Sequence, residues 1–212
     1  MDPNLLIVGV GLAYAVIFGA MALLRREGIS TQLTIEALAL TAVIAAGGTL
    51  ISSPANPILF VVFLYLVTMR SRLLVDLANA LSSRGRQRDA ITILQVALRL
   101  YPDRATRLIV LIAMGVVQLR RQNPRSSQEL LESVLTQAEG GGLGIQHQAA
   151  CHYNLGLALQ RQGKEAQAVR HFAAAVETFP GSRFARAAEE ALERRRRGSG
   201  AQADKPPGAS KD

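Results

Sequence analysis

Apolar positions are distributed very unevenly along the chain, and three long runs of them lie within its first 70 residues. Residues 5–24 contain no charged side chain, and residues 33–51 contain one, Glu36. Each run makes a helix of about 30 Å, the thickness of the apolar layer of a bilayer. The third run, 54–70, has a shorter continuous apolar part, so a re-entrant or interfacial helix is the alternative to a third span. The pattern predicts a transmembrane domain over residues 1–70.

The distribution of charge supports three spans. Of the 24 Lys and Arg residues, only Arg25 and Arg26 precede residue 70. With three spans, this pair falls on the same side as Arg70 and Arg72, and the positive-inside rule assigns that side to the cytoplasm. We therefore expect a bacterial inner membrane protein with its N-terminus outside and its C-terminal part in the cytoplasm.

A stripe of small residues lies in the first apolar run. Gly11, Ala15 and Gly19 follow one another at four-residue intervals. Such a stripe lets another helix approach closely. We interpret it as the packing surface for the second span, with another membrane protein as the alternative.

Glu36 is the single carboxylate inside an apolar run. A carboxylate within a membrane is often an ion-relay group, but one near the end of a span is favoured as an interfacial group. Because Glu36 lies near the start of its run, we expect it to be an interfacial carboxylate near Arg25 or Arg26.

Beyond residue 70 the pattern becomes that of amphipathic helices, and it repeats. Two stretches carry the same residue types at identical spacing: Ala78, Gly85, Ala90, Leu94, Ala97 and Pro102 in one, and Gly156, Gly163, Ala168, Phe172, Ala175 and Pro180 in the other. A glycine ends the first helix of each unit and a proline follows the second. The small residues let the two helices touch.

This pattern resembles the tetratricopeptide repeat, a helix–turn–helix unit of about 34 residues. The sequence Tyr153-Asn154-Leu155-Gly156 strengthens the resemblance, and a degenerate copy with Gln122 at the turn glycine lies between the two. The predicted fold is all-α: three transmembrane helices, then an α-solenoid of about three hairpins. Its segments are repeats over 71–104, 108–139 and 149–182, a capping helix over 183–197 and a disordered tail over 198–212.

No Gly or Pro lies between Pro57 and Ser82. Helices usually end at such residues, so the sequence predicts that the third span continues without a break into the leading helix of the first repeat.

Catalytic chemistry has little support. The chain has one cysteine, three histidines and no tryptophan. It lacks a nucleophile elbow, a phosphate-binding loop and metal-spaced histidines. We predict no enzyme activity, metal or cofactor, and we expect Cys151 and His152 to be packing residues. Few aromatic residues argue against a nucleic-acid partner.

The resemblance implies a protein-binding groove lined by the leading helices of the repeats. Transferring the family's groove positions to this sequence selects Val75, Asn79, Ser82, Ile112, Val116, Leu119, Tyr153, Leu157 and Gln160. The groove is mostly apolar, so part of it is equally explained as core between neighbouring helices.

The predicted function is a membrane-anchored scaffold that binds other proteins and assembles or stabilises a bacterial membrane complex. The alternative is a permanent structural subunit of a respiratory or photosynthetic complex. Membrane lipids are expected as further partners, because exposed arginines bind anionic headgroups. The candidates for that contact are Arg70, Arg72, Arg84, Arg86 and Arg88.

Overall fold

The structure is a computed structural model, and it describes residues 3–24, 31–51 and 56–203. Within these ranges the chain forms ten helices and no strand. The first five are α1 (Pro3–Leu24), α2 (Thr31–Ile51), α3 (Pro57–Thr68), α4 (Arg70–Ser83) and α5 (Gln87–Arg99). The others are α6 (Arg104–Arg120), α7 (Pro124–Ala138), α8 (Ile145–Gln160), α9 (Glu165–Thr178) and α10 (Arg183–Ala203). The predicted all-α class is confirmed.

Helices α1, α2 and α3 pack together, and we call them the apolar bundle. Its interior is a small cluster formed by Ile7, Tyr14, Ala37, Phe60 and Leu64. Many large apolar side chains point outward instead. Among the described residues, no single helix is long and apolar enough to cross a membrane. Helices α3 and α4 taken together are long and apolar enough to cross a membrane, but the two are bent by 71° at the break between them.

Only the Gly11 end of the small-residue stripe on α1 lies against α2. A Cβ atom added to Gly11 would overlap the side chain of Thr41 on α2, whereas one added to Gly19 would meet open space. Ala15, between them, is partly buried. Gly11 therefore lets α1 lie close to α2, and Gly19 does not take part in this contact.

The helix expected to run unbroken from Pro57 to Ser82 is interrupted at Met69, and that prediction is wrong. Met69 is nearly buried at the bend. One tertiary and one local contact lie at the bend: the Tyr14 hydroxyl lies 2.6 Å from the Thr68 hydroxyl, and Arg70 Nη1 donates to the Val67 carbonyl at 2.7 Å. Because α3 packs on the bundle while α4 packs on the repeats, the chain turns without Gly or Pro.

Three helical hairpins, α4/α5, α6/α7 and α8/α9, stack into a solenoid with their leading helices side by side. A glycine lies under a large side chain within the second and third hairpins: an added Cβ would come within 2.9 Å of Leu131 at Gly115 and 2.7 Å of Phe172 at Gly156. The degenerate middle unit is therefore a hairpin of the same construction. Gln122 adopts φ +61°, the left-handed conformation that Gly163 supplies in the third unit.

The last helix, α10, covers the end of the stack. The Ser182 hydroxyl accepts a hydrogen bond from the Ala185 amide at 3.1 Å, which caps the helix start. Ala185 and Ala188 are fully buried against the third repeat. The helix continues to Ala203, so it includes the first residues of the predicted tail over 198–212; residues 204–212 lie outside the described ranges.

Candidate protein-binding surface

The nine predicted groove residues all lie on leading helices, but they differ in accessibility. Four are buried: Val75, Ser82, Ile112 and Leu119. Three are partly buried and two are exposed: Val116, Tyr153 and Leu157, then Asn79 and Gln160. The accessible part of the predicted groove is therefore these last five residues, and their role in protein binding stays a prediction.

The four buried positions are occupied by contacts between neighbouring leading helices. Val75 shares a core cluster with Val110 and Ala113 of α6, and Ile112 shares one with Leu155 of α8. The side chains at these positions fill the space between the leading helices. Some of the apolar residues of the predicted groove thus belong to the core between the leading helices.

Polar contacts tie the ends of the leading helices to one another. Arg120 Nη1 donates to the Ser82 hydroxyl at 2.9 Å, which links α6 to α4. Arg161 donates in the same way to the Leu119 carbonyl, which links α8 to α6. These arginines satisfy groups that a helix end otherwise leaves to water. Neither arginine stands out in the sequence, because helix-end contacts between repeats have no local signature.

Tyr153 is the large aromatic residue of the accessible surface. Its ring centroid lies 5.9 Å from that of Phe172 and 6.1 Å from that of Phe184 on α10. The Arg183 guanidinium sits 4.6 Å from the centroid of the Phe184 ring. The surface therefore continues onto α10. The sequence analysis had assigned this helix only a capping role.

Family models of the tetratricopeptide repeat match residues 149–182 and 73–104, the third and first hairpins. The chain is a tetratricopeptide repeat protein. No curated protein matches it. Repeats of this family form protein-binding solenoids, so the tetratricopeptide repeat protein is expected to have protein partners.

An ion pair joins the apolar bundle to the repeats of this tetratricopeptide repeat protein. Arg70 Nη1 lies 2.6 Å from Glu36 Oε2, and Arg70 Nη2 lies 2.9 Å from Glu36 Oε1. Gln32 Nε2 donates to Glu36 Oε1 at 2.9 Å, and Arg70 Nη2 donates to the Leu100 carbonyl at 3.2 Å. The Glu36 carboxylate thus accepts two hydrogen bonds from the Arg70 guanidinium at the junction between α2 and α4.

Glu36 was expected near Arg25 or Arg26, and that expectation stays a prediction. Residues 25 and 26 lie outside the described ranges. Glu36 and Arg70 are 34 positions apart in the chain, and only the packing of α2 against α3 brings them together. No periodic pattern in the sequence connects two such positions.

His152 and His171 form a contact between α8 and α9. Their Nδ1 atoms are 3.1 Å apart and the rings are stacked. Burial lowers the pKa of both imidazoles, and the neighbouring His171 ring lowers the pKa of His152 further. Both rings are therefore neutral at pH 7, and His152 packs within the hairpin as the sequence predicted.

Cys151 is fully buried on α8, and its thiol donates to the Leu131 carbonyl at 3.4 Å. Burial raises the pKa of the thiol to about 12. A thiol of that acidity is protonated at neutral pH and is a poor nucleophile. Among the described residues, no group of three or more His, Cys, Asp or Glu side chains is arranged to hold a metal ion.

Proposed function

We propose that this tetratricopeptide repeat protein is anchored in a bacterial inner membrane and binds subunits of a membrane complex during its assembly or stabilisation. In this proposal the apolar bundle is the anchor, with the N-terminus outside. The repeats lie on the cytoplasmic side. The protein has no catalytic role of its own.

The observation that carries the proposal is the surface of the apolar bundle. Large apolar side chains cover its outside, among them Leu12, Val16, Val43, Leu50, Ile58 and Phe63. Each such side chain left in water forgoes about 1.5–3 kcal/mol of burial free energy. A contiguous surface of this kind is typical of contact with lipid or with another apolar surface. The runs over 5–24 and 33–51 have the length that a lipid environment favours.

The accessible residues of the leading helices support the binding role. Val116, Tyr153 and Leu157 offer apolar contacts, and Asn79 and Gln160 supply hydrogen-bonding groups beside them. A rigid aromatic residue within a partly apolar surface is typical of protein interfaces. A partner helix or extended peptide fits a surface of this kind.

Membrane fractionation tests the anchor. The full chain should remain in the membrane pellet after carbonate extraction and should need detergent for solubility. A chain recovered in the aqueous supernatant after carbonate treatment would contradict the proposal.

Photo-crosslinking tests the binding surface. A photoreactive amino acid at Leu157 should capture a reproducible protein partner, identified by mass spectrometry. The same group at exposed Glu129 on α7 is the control and should not capture that partner. Equal capture at both positions would argue against a specific surface on the leading helices.

A permanent structural subunit is the second candidate, favoured by the open space at Gly19. That position lets another helix approach α1 from outside the bundle. Purification in a mild detergent separates the candidates: a stoichiometric complex favours the permanent subunit, whereas transient capture favours the assembly scaffold. Replacement of Gly19 by Leu should release a permanent subunit from its complex and should leave an assembly scaffold able to bind.

A further inference from the structure

The first repeat leaves an apolar face uncovered at the N-terminal end of the solenoid. The exposed large apolar residues of the first hairpin and of the turn after it are Leu77, Val96, Leu100 and Tyr101, and we call them the N-terminal end face. We propose that this face rests on the bilayer surface, so that lipid headgroups and the adjoining acyl chains cover the first repeat. The proposal builds on the membrane anchor proposed above.

A comparison within the chain indicates that Leu77 is a core position without a cover. Leu155 occupies the same place in the third repeat and is 0% exposed, whereas Leu77 is 49% exposed. In the third repeat, α7 of the preceding hairpin packs on α8, in the cluster that contains Leu155. In the described part of the chain no hairpin precedes the first repeat, and the backbones of α1 and α2 do not approach α4 or α5.

The bend at Met69 keeps the first repeat close to the end of the bundle. The axes of α3 and α4 differ by 71°. When α3 lies along the bilayer normal, the 14 residues of α4 extend about 21 Å but rise only about 7 Å. The whole of α4 then stays at the depth of the lipid headgroups, which is where amphipathic helices lie on membranes.

Hydrogen bonds hold the α5–α6 turn against the bundle. Gln32 Nε2 on α2 donates to the Tyr101 carbonyl at 2.9 Å, and Arg70 Nη2 donates to the Leu100 carbonyl at 3.2 Å. Tyr101 adopts the left-handed conformation, with φ +49°, and its side chain is 85% exposed. A turn tied to the end of an anchoring helix lies at the interface between membrane and water.

The chemistry of this face suits the membrane interface. Tyrosine is enriched there because its ring is apolar and its hydroxyl reaches water. Arg99, exposed next to Leu100, adds a cation that attracts anionic headgroups. A bilayer surface therefore suits the apolar residues, the tyrosine and the arginine of this face together. The alternative is that a second protein covers the face.

Tryptophan fluorescence tests this placement directly, because the chain contains no tryptophan. The Tyr101→Trp variant of the full chain carries the single reporter, at a position so exposed that the larger ring fits. The protein is reconstituted into vesicles of phosphatidylcholine and phosphatidylglycerol that contain brominated lipids. Bromine near the headgroup end of the acyl chain should remove at least about half of the emission, because an interfacial aromatic ring lies at that depth.

Two matched variants make the outcomes distinguishable. Phe63→Trp places the reporter on the apolar bundle and should be quenched by bromine deep in the acyl chains. Tyr153→Trp places it on the third repeat and should not be quenched. If Phe63→Trp is quenched while Tyr101→Trp behaves like Tyr153→Trp, the end-face proposal is overturned and the anchor stands.

Two other results also overturn the proposal. If Phe63→Trp escapes quenching as well, the anchor itself fails. If Tyr101→Trp is shielded both from brominated lipid and from aqueous iodide, a protein covers the face instead of lipid, either a second copy of the chain or another partner.

Discussion

The two ends of the solenoid differ in whether another helix covers their apolar side chains. At the C-terminal end, α10 packs on the third repeat, buries Ala185 and Ala188 completely and places Phe184 against Tyr153. At the N-terminal end, Leu77 and Val96 stay exposed. A stack of repeats has two apolar ends, and an end that faces water needs an amphipathic cover. The bilayer contact proposed above would supply such a cover at the N-terminal end.

A charged residue introduced at either end of the solenoid should give the largest change in the free energy of unfolding and the largest difference between the two ends. Ala188→Asp buries a carboxylate without a partner and should lower the free energy of unfolding by about 3–5 kcal/mol. Leu77→Asp puts the same group at an exposed position and should cost about 1 kcal/mol or less. Chemical denaturation followed by circular dichroism in detergent micelles measures both. Equal losses at the two ends would mean that Leu77 is covered within the protein.

Truncation of the equivalent leucines sharpens the comparison between the first and third repeats. Leu155→Ala removes a fully buried side chain and should cost about 3 kcal/mol, because it leaves a cavity between α7 and α8. Leu77→Ala should cost about 1 kcal/mol, since half of that side chain is already exposed. The same denaturation experiment compares them. A loss at Leu77 as large as that at Leu155 would contradict the uncapped end.

Loss of the junction ion pair should loosen the N-terminal end without unfolding the solenoid. Glu36→Gln removes the charged acceptor of Arg70 and should cost about 1–2 kcal/mol, because solvent screens this partly exposed pair and reduces the value of about 1.5–3 kcal/mol for a hydrogen bond to a charged group. Hydrogen exchange of the amides around Met69 should become faster, while exchange in α8 stays unchanged. Arg86→Gln breaks the exposed pair with Asp89 and serves as the control with little effect. Unchanged exchange at Met69 after Glu36→Gln would show that packing alone holds the bend.

The histidine pair should make the third repeat sensitive to acid, the smallest of these effects. Because burial depresses the pKa of His152 and His171 in the folded state, the unfolded chain binds more protons as the pH falls. The free energy of unfolding should therefore decrease below about pH 6.5, the unperturbed value for histidine. Leu74 and Ile93 occupy the same positions in the first repeat. The double variant His152→Leu with His171→Ile should lose this acid-dependent decrease in denaturation midpoints between pH 7.5 and 5.5; an unchanged pH profile would assign it to other groups.

Local patterns predicted the repeats better than the binding surface. The glycines and small residues mark the turns and helix contacts of the hairpins locally, and the degenerate middle unit with Gln122 also forms a helical hairpin, α6/α7. The groove was predicted by transferring the family's groove positions to this sequence. That transfer carries no information about how closely neighbouring leading helices pack. Val75 and Ile112 consequently proved to be core, while Tyr153 and Leu157 remain accessible.

The sequence by itself determined the helices, their turns and the division between an apolar N-terminal part and amphipathic repeats, because each depends on residues a few positions apart. Only the tertiary structure decided the bend at Met69, the pairing of Glu36 with Arg70 and the contrast between Leu77 and Leu155. These features depend on which helix lies beside which, and identical residues in identical local patterns become buried or exposed according to whether a neighbouring helix is present.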